Sequence, residues 1–455
     1  MKRKCSSLAK RFASGLVVLG VAVTGTAFAS QTPENTVQGF DLGKGWLLSS
    51  SGGLSYVHPD CADYFFKLSG LLRFDEIGFM GSYRDKGSNF PSGGNLRTAE
   101  MYFDGGLGRD WEYTATLQFA SSGRPTFGDT WLSYMGFADN NQAFVGRVSG
   151  NWFGLDNSNS GSWNPFMERS LVANTFYPGD GIGVMTDFWW DNGAITLVAM
   201  QSNQSTFNEV ANVRDRWRAT ARATAAPVHE EGDVWHFGLS GAFREVVNTV
   251  SGVPATFANG TGAGFNVGGP GVTLRNSTGT GVGNIVSTVT ANGGLPIRAS
   301  SVRMYNVEAA RQIGPFMLEA EYTTAFVNRT SFFVTNLGNQ SALGSLRFSG
   351  WNIQTRYLLT GEHHAYDVRD GQFGSVKPCS SYGAFEVAAR YDFVDLNNKN
   401  VRGGTQHDVT LGLNWFLNQQ VRFTMNYIRA SIHPANDAQK RNLDIIGLRA
   451  QVRFK

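Results

Sequence analysis

The chain has 455 residues, 39 lysines and arginines against 36 acidic residues, and a formal charge of +3. Its 55 glycines, 13% aromatic and 16% charged content come with no apolar run beyond residue 29 long enough for a membrane helix. That excludes a helical membrane protein, and the lack of strong amphipathic helical stretches argues against an α-rich soluble enzyme.

The first 29 residues read as an export signal. Lys2, Arg3, Lys4, Lys10 and Arg11 precede an apolar stretch from Phe12 to Val23 and a small-residue "AFAS" site, which predicts cleavage after Ala29. Those five cations leave with the leader, so the remaining chain carries 34 basic and 36 acidic residues. A functional positive field must therefore come from placement, not from overall charge. Residues 30–63 are read as a short periplasmic segment and residues 64–455 as one barrel domain.

From Tyr64 onward the pattern is period two. In "WEYTATLQFA", Trp111, Tyr113, Ala115, Leu117 and Phe119 share one face, with Glu112, Thr114, Thr116 and Gln118 on the other. About sixteen such segments follow one another to Phe454, and the connections between them alternate long and short. Exported, aromatic-rich, even-numbered alternating strands predict an all-β fold: a 16-stranded antiparallel transmembrane β-barrel of the bacterial outer membrane. Long outside connections are expected at 150–180, 247–298 and 328–346, and short inside ones at 107–110, 313–314 and 417–420. The long segment 360–381 falls on the inner side, and alternation alone gives no reason for it.

The stretch "RDRWRATAR" puts Arg214, Arg216, Arg218 and Arg222 on one strand face, over roughly 27 Å at about 3.4 Å per residue. A lipid-facing arginine near the midplane costs about 2–4 kcal/mol. This face must therefore look into water, as a pore-lining ladder, with Trp217 pointing outward. Arg244 extends the row on the next strand beside His236 and Ser240. Parity also assigns Lys67, Arg73 and Arg147 to the channel, together with Glu112, Glu308, Glu319, Glu321 and Glu386, so an acidic wall faces a basic one.

With these residues placed, the chain resembles the phosphate-selective porin O and P family. The resemblance rests on "NPFMERS" (164–170), "YLLTGE" (357–362), "FGSVKP" (373–378) and the run "GAFEVAARYDFVDLN" through "RGG" to "LGLNWFLNQQVRFTMNY". It implies a homotrimer of barrels in the outer-membrane lipid, an inward-folded third loop, and passage of small anions such as phosphate or polyphosphate. It assigns Arg169, Asp129 and Arg97 to the constriction, although Thr98 stands where the family has a second arginine. Between 150 and 180 Arg169 is the only cation, which weakens the case for tight phosphate binding.

No enzyme activity, cofactor, metal or nucleic-acid partner is implied. The paired histidines of "HHAYD" (363–367) lack further ligands at a defined spacing, and "HEEGDVWH" does not have zinc-protease spacing. Cys61 and Cys379 would meet an oxidising compartment, but their strands are not neighbours, which leaves a disulfide open. A general, weakly selective porin and a surface adhesin carried on a barrel are the alternatives.

Overall fold

The structure is a computed structural model describing residues 39–49, 53–81, 92–120, 125–137, 140–202, 217–246, 272, 274–277, 284–288, 297, 299–329, 332–334, 338–340, 344–435 and 439–454. The segment read as a leader (1–29), the glycine-rich 260–271 segment, Arg214 and Arg216 lie outside the described residues.

Sixteen strands form the wall: β1 (Tyr64–Met80), β2 (Gly93–Leu107), β3 (Trp111–Gln118), β4 (Thr126–Tyr134), β5 (Asn141–Val148), β6 (Gly181–Trp190), β7 (Gly193–Ser202) and β8 (Trp217–Glu230). They continue as β9 (Asp233–Glu245), β10 (Ala299–Ile313), β11 (Phe316–Arg329), β12 (Leu346–Leu358), β13 (Ala384–Asn398), β14 (Val401–Phe416), β15 (Val421–His433) and β16 (Arg441–Phe454). Each pairs antiparallel with the next, and β16 closes on β1, with Gln451 opposite Arg73 and Phe454 opposite Gly70. Closure leaves no barrel edge, which the bilayer requires because it offers backbone groups no partner.

The two rims differ as the alternation requires. Strands meet at one rim through tight turns, such as 231–232 and 314–315, where Gly232 and Gly314 take φ of 75° and 55° and a Cβ would be strained. The opposite rim carries the long 149–180 and 246–298 connections. Each rim has one exception: the loop rim closes β13 to β14 through 399–400 alone, and the turn rim carries 359–383. Below the turn rim, strands Gly39–Gly43, Trp46–Ser49 and Leu54–Val57 extend the sheet, Leu54 pairing with Leu68 of β1 just beyond the end of β16.

The barrel is apolar outside and packed within. On β8, Trp217, Ala219, Ala221 and Ala223 are exposed while Arg218, Thr220, Arg222 and Thr224 are buried. The lumen is filled by the 149–180 connection, with its short helices α1 (Leu155–Ser158) and α2 (Leu171–Thr175). Toward the loop rim Phe153, Met167, Leu171, Val172 and Phe176 pack on inward Ile77, Phe79, Val302 and Ile445, joined by Val272, Leu274 and Val286 of the 246–298 connection.

Candidate functional site

The 149–180 loop organises itself before it meets the wall. Ser170 caps α2 by accepting from the Ala173 N–H at 3.1 Å, as serine does at helix starts. Arg169 donates to the carbonyls of Asp156, at 2.8 Å, and of Asn157, so its guanidinium caps the end of α1. Asp156 accepts from Ser170 N–H at 2.6 Å and from Asn164 Nδ2 at 3.1 Å. The "NPFMERS" motif is thus a set of anchors.

Guanidinium groups on the wall then hold the loop by its carbonyls. Arg422 donates to Ser162 O at 3.0 Å and to Asn164 O at 2.5 Å, Arg449 to Met167 O, and Arg390 to Glu168 O at 3.2 Å. Arg218 donates to Pro178 O at 3.2 Å and Asp180 O at 3.1 Å. Arg73 reaches Ser162 Oγ at 3.4 Å and Gln451 Oε1 at 2.9 Å. Arg390, Arg422 and Arg449 were not singled out from sequence, though each has inward parity; what marks them is strand phase, since they lie in no arginine run.

A second insertion enters from the opposite rim. Residues 359–383 form a hairpin, His364–Asp367 against Gln372–Val376, which rises into the lumen. Arg222 donates to Asp370 O and Gly371 O, both at 2.8 Å, while also pairing with Glu308 Oε1 at 2.6 Å. His236 meets Tyr366 OH at 2.7 Å and Glu308 at 3.1 Å, and His364 meets Glu386 at 2.6 Å. Arg369 lies 4.3 Å over the Trp189 ring. The length of this turn-rim connection is therefore explained: it is a luminal insertion.

Two carboxyls of the insertions have shifted acidities. Burial and the neighbouring Asp367 push Asp370 up to about 7, against the pull of Arg369. Burial also raises Glu168, but Arg97 and Arg449 outweigh it and hold that carboxyl at about 2.

The residues expected at the site fall into separate groups. Arg218 and Arg244 face each other in register on β8 and β9, both buried on the inner side. Arg222 is inward but occupied by the hairpin, and Arg169 by its own loop. Arg97 sits at a bulge, since Arg73 pairs with Thr98 and Phe74 with Leu96. The extra residue lets Arg97 turn in, where it clasps Glu168 at 2.8 and 3.0 Å. Asp129 accepts from Ser149 Oγ at 3.3 Å beside the loop entrance.

Arg147 departs from the parity reading. It pairs with Thr130 and Ile182, in the outward row of Val145 and Ile182, because β5 turns Gln142, Phe144 and Val148 inward. Its guanidinium returns over the strand end to Asp180 at 3.3 Å. Cys61 and Cys379 are not joined by a disulfide.

Where water still reaches the inner wall is narrower than the whole lumen. The inward side chains of β7 to β15 are buried, whereas Lys67, Arg73, Glu100, Asp104 and Glu112 on β1 to β3, and Arg453 on β16, are part-exposed. Lys67 and Asp104 face each other in register. The open strip therefore interleaves three cations with three carboxylates.

Residues 66–454 match the family model described as "Phosphate-selective porin O and P". Porin O of Pseudomonas aeruginosa is 27% identical over 435 residues, covering 90% of this chain and 91% of that protein. Among solved structures, OmpT of Vibrio cholerae superposes with a TM-score of 0.51 at 10% identity, over 86% of this chain and 98% of that one. OprB of Pseudomonas putida gives 0.50 at 12% identity, over 86% and 94%. Those two likenesses concern the fold.

Proposed function

The chain belongs to the phosphate-selective porin O and P family and is a porin of the bacterial outer membrane; from that premise we propose that it conducts small anions, phosphate among them. The observation that carries this reading is the part-exposed row of Lys67, Arg73 and Arg453 along β1 and β16. Cations spaced along a wet wall offer an anion repeated weak sites in place of one deep trap, which is what conduction needs. Guanidinium supplies bidentate donors that replace lost hydration and keeps its charge at any physiological pH.

In this reading the inward arginines divide into two roles. Arg73 and Arg453, with Lys67, address the passing ion. Arg218, Arg222, Arg390, Arg422 and Arg449 hold the two insertions and so set the width. Arg244 stands beside Arg218 and adds to the positive potential over the loop entrance, where Asp129 and Asp180 oppose it.

A second reading, a general and weakly selective pore, is favoured by Glu100, Asp104 and Glu112 on the same strip. Reversal potential across a potassium chloride gradient, followed by phosphate titration on one side, separates the two. Anion preference that is lost in Lys67→Glu, with block by phosphate, supports the first; cation preference in the unaltered protein defeats it. The family also suggests a homotrimer, and an apolar hollow of about 790 Å³ on the outer wall, lined by Phe74, Leu96, Phe423 and Leu448, offers a surface for a second copy. Mass measurement of the detergent-extracted protein tests that assembly.

A further inference from the structure

The outer wall carries cations that are left without carboxylates. Two outward cations elsewhere are paired: Arg311 with Asp233 near the turn rim, and Arg429 with Asp444 at 2.9 Å. On β10 to β13 the pattern changes. Arg303 and Arg347 both face Phe326 in register, one on each side, and both are exposed. Lys399, in the tight β13–β14 turn, is exposed and donates to Ser345 O at 2.7 Å, two residues before Arg347. Arg329 reaches the adjacent Gly344 O at 2.6 Å. Among the described residues, no carboxylate pairs with Arg303, Arg347 or Lys399.

The site is shaped as well as charged. Arg347 is steered by donating to Tyr322 OH at 3.1 Å and Thr324 Oγ1 at 3.2 Å. Its depth follows from the aromatic row beneath it. Tyr322, Trp351, Phe393 and His407 are register neighbours across β11 to β14, with the Trp351 ring centroid 5.3 Å from that of Tyr391 and the planes tilted by 34°. Such rows mark the membrane–water boundary. Arg347 lies four residues toward the loop rim from Trp351, about 13 Å along the strand, which is headgroup depth.

We propose that Arg303, Arg347 and Lys399 form a binding site for the phosphate of an outer-leaflet lipid headgroup, with the lipid's chains lying over the aromatic row. Exposed outward cations are tolerable at that depth, and a phosphate there supplies the anion that the wall does not. The site is on the lipid face, separate from the channel.

The test uses native mass spectrometry of the full protein in detergent with bis-phosphorylated lipid A, dephosphorylated lipid A and inorganic phosphate as probes. Expected is retention of the phosphorylated lipid over the dephosphorylated one, reduced by about tenfold or more in Arg303→Gln/Arg347→Gln/Lys399→Gln, with Arg347→Lys retaining part of it. Should the triple variant fail to fold, Arg347→Glu is read in the same assay. Equal retention of the two lipids, equal retention by variant and parent, or displacement of the lipid by inorganic phosphate overturns the proposal. So does loss of the oligomer in the variant, which assigns the surface to a second copy.

Discussion

The backbone N–H of Phe373 donates to Asn159 Oδ1 at 2.9 Å. One residue belongs to the hairpin rising from the turn rim, the other to the loop descending from the opposite rim, and Leu155 packs in the same cluster as Phe373. The two insertions are therefore one luminal body. Replacing 364–376 with a short glycine–serine linker should raise single-channel conductance severalfold, whereas Asn159→Ala removes one buried hydrogen bond, worth about 1 kcal/mol, and should add flicker without changing the main level. Planar-bilayer recording reads both; unchanged conductance in the linker variant would mean that the hairpin does not restrict flow.

Arg222 predicts a stability effect larger than its charge suggests. Glu308 is buried against it and against His236, so Arg222→Met leaves a carboxylate inside without its main partner, at a cost of about 3–5 kcal/mol. Urea unfolding in detergent, followed by tryptophan fluorescence, should show this loss, and Arg222→Met/Glu308→Gln should recover part of it. Equal loss in the single and double variants would refute the pairing argument.

The fold was legible in the sequence because a barrel wall repeats one rule at every residue. Strands such as 193–202 fall where alternation puts them, since lipid on one side and polar packing on the other penalise a slipped register. The luminal insertions were not legible to the same degree, because their contacts join residues more than two hundred positions apart, as Arg422 does with Ser162. Arg97 needed the bulge, and a one-residue insertion leaves no mark in composition. Arginine parity indicated the inner side for Arg218 and Arg222, but backbone carbonyls 38 and 149 positions away decide what those groups hold. For Arg147, strand phase in β5 gives the outward row, and only the reach of its guanidinium over the strand end to Asp180 brings the charge back.

Glu168 is placed to mute the positive charge of Arg97. Arg449 keeps a second carboxylate in Asp75, at 2.7 Å through both nitrogens, whereas the Arg97 side chain, 40% exposed, has Glu168 as its ion-pair partner. Glu168→Gln should therefore release Arg97 and raise the anion-to-cation permeability ratio, measured from reversal potentials. With its carboxyl held at about 2, Glu168 contributes stability that is complete above the ordinary value of about 4.3 and is lost as pH falls through about 2. The charge on Glu168, and with it the muting of Arg97, should accordingly stay constant from neutral pH down to about 4. A lower anion ratio in Glu168→Gln would count against this assignment.

Asp370 gives the opposite pH sign. Its carboxyl is half-buried and accepts from Gln372 Nε2 at 2.7 Å; loss of hydration, then Asp367 and Asp187, raise it to about 7 in the folded protein, Arg369 opposing. A carboxyl raised in the folded state favours folding most below its ordinary value, about 3.9, and that contribution is lost as pH rises through about 7. The hairpin should then sit most firmly in mildly acidic solution and loosen above neutrality, so conductance noise or mean conductance should rise between pH 6 and pH 8, on the order of one pH unit either side of 7. Asp370→Asn keeps the backbone carbonyl that Arg222 binds while removing the titration, and it should flatten the profile at the acidic-side level. A profile in the variant that matches the parent would place the titrating group elsewhere.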